Sequence, residues 1–138
     1  MTPVKPATHR AVRLPGSMGG TDNPLKMSPA IVSGNHLFMT CMTGSAADGT
    51  MPSEPEAQFR AAHDKIAAVL GCEGLNFASV VEMTSYHIDI GQHFDLFAQV
   101  RAGYVRQPYP AWTAVGVAEL RRPGALVEIK VIAQIAAD

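Results

Sequence analysis

Glu128 is a carboxylate set in the apolar run Leu126-Val127-Glu128-Ile129-Lys130-Val131-Ile132-Ala133. Burying a carboxylate among strand aliphatics is costly unless something pairs with it. One that keeps reach of a water molecule can orient it or take its proton, which is general-base work. A structural pairing with a neighbouring chain is the plainer alternative. A second apolar segment, Tyr109-Pro110-Ala111-Trp112-Thr113-Ala114-Val115-Gly116-Val117, holds the chain's single tryptophan. Trp112 suits the aromatic wall of a ligand cleft, and equally a subunit interface, where aromatics concentrate. The two segments flank a turn at Arg121-Arg122-Pro123-Gly124 and read as a core hairpin.

Other side chains can serve the same chemistry. Cys41 offers a thiol, but no basic neighbour in sequence lowers its pKa. The alternative role is a small buried hydrophobe. Thr40, Thr113 and Tyr86 offer hydroxyls, although each is also an ordinary strand residue. His87 can act as acid, base or ligand, or as a satisfied structural histidine. The histidines at 9, 36, 63, 87 and 93 lack HExxH or any other ligand spacing, so no metal is expected. Arg10, Arg13 and Arg121 are cations that could grip an anion, yet nothing in the sequence brings them to one place.

Composition bounds the partners. At 138 residues the chain fits a single domain spanning 1–138. Such a length buries roughly 68–70% of its unfolded surface and needs no staples. The formal net charge is −1, and Arg121-Arg122 is the only adjacent basic pair. Phosphate-backbone binding wants a basic stripe, so nucleic acid is not an expected partner. Cys41 and Cys72 are far apart and form no CxxC pair, which fits a reduced, cytoplasmic setting. The N-terminal residues show no apolar signal region, and no run is long enough to span a membrane.

The elements that must position these groups follow from periodicity. Residues 1–8 read as a loose arm and 9–14 as a first strand. Ala30–Ser33 and His36–Met42 alternate about a tight Gly34-Asn35 turn, a hairpin pattern. From Glu54 the period changes: Phe59, Ala62, Ile66, Val69 and Leu70 share one helical face, with Ser53 as its expected N-cap. A strand is expected over Val80–Ile90, with Val81, Met83, Ser85 and His87 on one side. Phe94, Phe97, Val100 or Arg101, and Tyr104 space like a second helix. Strands over Ala111–Val117 and Ala125–Ile135 close the chain. The order β-β-β-α-β-α-β-β implies an α+β domain, a two-layer sandwich with both helices on one face of a mixed sheet. The other face keeps apolar residues, and packing such faces together in a homo-oligomer covers them.

Several stretches together resemble the reactive intermediate deaminase family, also called RidA or YjgF and endoribonuclease L-PSP-like. They are Leu37-Phe38-Met39-Thr40, the Gln58-centred helix start, Val80–Asp89 and the closing Val127-Glu128-Ile129 segment. Thr84-Ser85-Tyr86-His87, Pro108–Val117 and Glu128–Ala133 are most similar to the YjgH-like branch. The resemblance covers roughly Pro29–Ile135. It implies a chorismate-mutase-like fold and a homotrimer with ligand clefts between subunits. It also implies hydrolytic deamination of small enamines or imines such as 2-aminoacrylate, without a cofactor. Glu128 matches the family glutamate that positions water. The implied cleft residues are Trp112, Thr113, Cys41, Thr40, Tyr86 and His87. The family's deaminases place an Arg after Pro-Ala to grip a carboxylate; here that position is Trp112. An indole has one donor and no charge, which implies a larger, flatter or less acidic substrate than 2-iminopropionate. The family's Ser-Gly-Gln stretch is Thr40-Cys41-Met42 here, and its later Cys is Ala114. The resemblance leaves a non-catalytic ligand-binding or regulatory trimer as the second implied role. RNA cleavage or translation inhibition, an older label of the family, fits the near-neutral charge least well.

Overall fold

The computed structural model describes residues 2–18 and 23–135. Its strands are β1 (Arg10–Ala11), β2 (Ala30–Ser33), β3 (His36–Met39), β4 (Val80–His87), β5 (Ala111–Gly116) and β6 (Val127–Gln134). Its helices are α1 (Pro55–Gly71) and α2 (Ile90–Ala102), with short 3-10 turns at Gly16–Met18 and Phe77–Ser79. The element order is the expected one. The expected loop over 16–24 falls partly outside the described residues, and residues 2–9 form no helix or strand.

The strands form one mixed sheet in the order β1-β2-β3-β6-β4-β5, in which only β4 and β5 pair in parallel. The Gly34-Asn35 hairpin stands as expected: Ser33 pairs with His36, and Gly34 takes a φ of 59°. A glycine at the first central position supplies that positive φ without strain. The closing strands are not a hairpin, however, because β4 lies between them. The reason is the β4–α2–β5 unit. A helical crossover returns the chain parallel to the strand it left, so β5 takes one edge of β4 and β6 the other.

The turn itself does exist. Ala125 N–H donates to the Arg122 carbonyl at 3.1 Å, and Gly124 has a φ of 80°. Pro followed by a glycine of positive φ is the chemistry of a type II turn.

Both helices pack on one face. Phe59, Ala62, Ile66, Val69 and Leu70 of α1 are buried, as their spacing requires, and meet Leu37, Met39, Ile129 and Val131 in one core cluster. Helix α1 starts one residue later than expected. Glu54 is the N-cap, without a side-chain cap bond, and Pro55 takes the first turn. Proline suits that place because its missing N–H would have no partner there. Strand β4 ends at His87, and Ile90 and Gly91 already belong to α2.

Two irregularities shift side chains across the sheet. Between the Val80–Ala133 and Glu82–Ile132 pairs the β4 register slips, so Val80 is buried and Val81 exposed. This corrects the simple alternation that placed Val81 beside Met83. The second lies after β3. Phe38 pairs with Ile132, and Met42 bridges Ile129. Residues 39–41 thus oppose only 130–131, a bulge with one extra residue on the β3 side.

Candidate functional site

Alternation along β6 buries Val127, Ile129, Val131 and Ala133 under the helices. Glu128, Lys130 and Ile132 face the other way. Glu128 therefore sits on the open face, directly opposite Tyr86 of β4. Thr113 of β5 lies beside Thr84 on the same face and is exposed. The bulge after β3 brings Thr40 and Cys41 to this side as well. Met42 holds the segment against β6 through reciprocal backbone bonds to Ile129 of 2.8 and 2.9 Å. Thr40 is fixed by its hydroxyl, which donates to the Ser28 carbonyl at 2.7 Å.

Glu128, Cys41 and Thr40 line one recess of about 200 Å³. Burial raises the Cys41 thiol pKa first, and the adjacent Glu128 carboxylate raises it further. Cys41 is thus a protonated thiol at neutral pH, not a ready nucleophile. Three cations share the wall with neutral residues such as Ser28, Met42 and Thr43: Lys65 from α1, and Arg121 and Arg122 from the turn before β6. Lys65 donates to the Ser45 hydroxyl at 3.1 Å, and Ser45 shares a 2.9 Å hydrogen bond with Thr43. A wider groove of about 720 Å³ adjoins the recess and shares Met42, Ser45, Lys65 and Arg122 with it.

Gln58 positions this wall. Its side-chain amide donates to the carbonyls of Pro52 and Gly124, and its oxygen accepts from Leu126 N–H. One buried amide thereby ties α1 to the turn that carries both arginines. The loop before α1 passes so close that a Cβ on Gly44 would stand 2.4 Å from the Gln58 carbonyl oxygen. Only glycine permits that approach.

Trp112 and His87 lie elsewhere. Their side chains point under α2, on the opposite face of the sheet from Glu128. The indole N–H donates to Ser85 Oγ at 2.9 Å, and Ser85 Oγ lies 2.7 Å from His87 Nε2. Phe94 stacks on the indole at 5.4 Å, and the Arg101 guanidinium carbon lies 3.9 Å above the ring. His87 Nδ1 is buried without a partner, and burial lowers the ring's pKa. His87 is therefore a neutral core ring. The structure brings Glu128, Cys41 and Thr40 together, spreads Tyr86 and Thr113 over the same face, and keeps Trp112 and His87 beneath it.

Lys65 and Arg122 were not among the sequence candidates. One signal was available: Lys65 falls beside the buried Ala62 and Ile66 on an otherwise apolar helix face. Nothing local links it to Arg122, 57 positions later along the chain. Among the described residues no group of three or more His, Cys, Asp or Glu is placed to hold a metal ion. No described helix is long and apolar enough to cross a membrane.

Comparison with known proteins finds similar chains. A family model described as Endoribonuclease L-PSP matches residues 23–135. The RutC family protein YjgH of Escherichia coli (strain K12) is 40% identical over 111 residues, covering 80% of this chain and 83% of the relative. A solved structure of YjgH is 38% identical, with a TM-score of 0.75 over 83% of this chain and 87% of its own. Rv2704 of Mycobacterium tuberculosis, a YjgF/YER057c/UK114 family member, is 30% identical with a TM-score of 0.70 over 79% of this chain and 86% of its own. RidA of an Antarctic Psychrobacter shares the fold, with 24% identity and a TM-score of 0.80 over 91% of this chain and all of its own.

Proposed function

This chain belongs to the Endoribonuclease L-PSP (RidA/YjgF) family, and on that premise we propose that it hydrolyses a small imine or enamine in the recess around Glu128. The observation that supports this is the Glu128 carboxylate itself. It faces the open side of the sheet at a recess, flanked by Cys41 and Thr40, and forms no ion pair among the described residues. Its polar neighbour is the Cys41 thiol, which leaves the carboxylate with capacity to accept from water.

An enamine first moves a proton onto carbon to become the imine. Glu128 then takes a proton from water as the oxygen attacks the imine carbon, so a C–O bond forms and the C=N bond becomes single. That proton passes to the nitrogen and gives a carbinolamine. Glu128 then takes the hydroxyl proton and delivers it to the same nitrogen as the C–N bond breaks, so ammonia leaves and the carbonyl forms. The balance is imine plus water to carbonyl plus ammonia, with no redox change and no cofactor.

The open face also suits a homotrimer, with the recess completed where subunits meet. Phe38 and Val115 there are 41% and 38% exposed, beside half-buried Tyr86 and Ile132. Apolar strand residues of this kind are covered when copies pack face to face. Tyr86 and Thr113 then belong to the cleft walls, and Trp112 and His87 support them from below.

The test is ammonia release from freshly generated 2-aminoacrylate and from cyclic imines. Turnover above the buffer rate that Glu128→Gln removes supports hydrolysis. Rates equal to buffer for wild type, or unchanged by Glu128→Gln, contradict it. A binding protein without chemistry is the second reading, favoured by the indole at position 112; its sign is thermal stabilisation by a metabolite without ammonia release.

A further inference from the structure

We propose that the Lys65 amine is a covalent site for aliphatic aldehydes, condensing with the carbonyl to form an imine where the recess opens into the groove beside it. Hydrolysis at Glu128 does not use this nucleophile, so the two readings stand or fall separately.

Lys65 leaves α1 beside the buried Ala62 and Ile66 and is itself half-buried. Its amine is fixed rather than loose: Nζ donates to Ser45 Oγ at 3.1 Å, and Ser45 is held in turn by Thr43 at 2.9 Å. Lys65 and Ser45 line both the recess of about 200 Å³ and the groove of about 720 Å³. The lysine thus stands where the two cavities meet. Ala46, Ala47, Ala61 and Ala68, with Leu14 and Met18, give the groove a largely apolar lining. An unbranched aliphatic arm suits such a lining, with the carbonyl at its end against the amine.

An ammonium cannot attack a carbonyl, so the surroundings must favour loss of its proton. No carboxylate holds it: the ion pairs among the described residues are Arg10–Glu73 and Arg60–Glu56. Asp64, next along α1, accepts from the Tyr104 hydroxyl at 2.7 Å, and Glu128 across the recess meets the Cys41 thiol. Arg121 and Arg122 line the same wall. Burial, and then the like charge of Arg122, lower the Lys65 pKa to about 8. At pH 7 roughly one amine in ten is then neutral, against roughly one in 3,000 at the ordinary 10.5. A partly desolvated lysine beside a second cation is the arrangement that makes an amine nucleophilic.

The neutral nitrogen adds to the carbonyl carbon, and one nitrogen proton passes to the oxygen to give a carbinolamine. The C–O bond then breaks. The hydroxyl leaves as water with the remaining nitrogen proton, and the C=N bond forms. Amine plus aldehyde become imine plus water, with no redox change.

The experiment treats the full chain at pH 7 with hexanal and sodium cyanoborohydride, which reduces the imine to a stable secondary amine, and maps the label by peptide mass spectrometry. The exposed Lys5, Lys26 and Lys130 are internal standards. Lys65 is expected to be alkylated at least tenfold faster than any of them. Arg122→Gln should slow Lys65 severalfold at pH 7 and leave the standards unchanged. Acetaldehyde, which lacks the arm, should show a severalfold smaller preference for Lys65 than hexanal does. Lys65 labelled no faster than the standards in the wild-type chain overturns the proposal, as does a Lys65 preference that Arg122→Gln leaves untouched at pH 7.

Discussion

Under α2, polar side chains are spent on one another. Trp112 donates to Ser85, Ser85 meets His87, and Arg101 lies over the indole. Across the sheet, Arg121 and Arg122 have no such partners among the described residues, and Glu128 meets the Cys41 thiol without forming an ion pair. Trp112 and Glu128 are the two conspicuous residues of the closing segments, yet strand alternation sends them to opposite faces. The difference teaches where chemistry can reside. Groups that satisfy each other in a core specify packing, whereas groups held apart at a recess remain free for a ligand.

Removing the packing side of this contrast should cost stability first. Trp112→Ala deletes the ring between Phe94, Phe97 and Arg101. Loss of about 3 kcal/mol is expected from such truncations, read in urea denaturation. A loss under about 1 kcal/mol would make Trp112 a surface wall after all, and would break the comparison.

Acid sharpens it next. His63 is fully buried, donates Nδ1–H to the Phe59 carbonyl at 2.7 Å, and leaves Nε2 without a partner. Burial lowers its pKa to about 4. The unfolded chain, titrating near 6.5, binds the proton more readily, so stability falls as pH drops from about 6.5 to 4. The shift corresponds to roughly 3 kcal/mol at most. Melting points of wild type and His63→Phe across pH 4–7 check this; the variant should lose much of the acid sensitivity.

The smallest effect lies at the recess. Lys65 faces Arg122, with Arg121, Glu128 and Cys41 in the same walls. Its depressed pKa means the charge is present at pH 7 and lost as pH rises through about 8. Binding of a small organic anion such as pyruvate to the recess, followed by titration calorimetry, should fall severalfold between pH 7 and 9.5 if it contacts Lys65. Lys65→Arg should flatten that profile, because a guanidinium stays charged.

Much of this architecture was readable from local periodicity. The shared face of Phe59, Ala62, Ile66, Val69 and Leu70 identifies α1, and Gly34-Asn35 identifies the hairpin, because both signals are contained in a few turns of chain. Strand pairing is not. The Arg121–Gly124 turn has the right local chemistry for reversing the chain, but α2 had already returned β5 alongside β4. Bulges escape alternation for a similar reason. One extra residue near Cys41 turns both Thr40 and Cys41 toward Glu128, and a pattern of period two cannot register it. Glu128 announced itself by being charged among aliphatics. Lys65 and Arg122 did not, since only Gln58 and the folded loop bring them together.

The central claim is that chemistry belongs to the open face and packing to the covered one. Parallel measurement of kcat/KM for ammonia release by Glu128→Gln and Trp112→Phe tests it most directly. General-base loss predicts a fall of about 100-fold or more for Glu128→Gln. Trp112→Phe should stay within severalfold of wild type, with a loss of about 1 kcal/mol in stability from the broken bond to Ser85. A large fall for Trp112→Phe beside an unaffected Glu128→Gln would contradict the account.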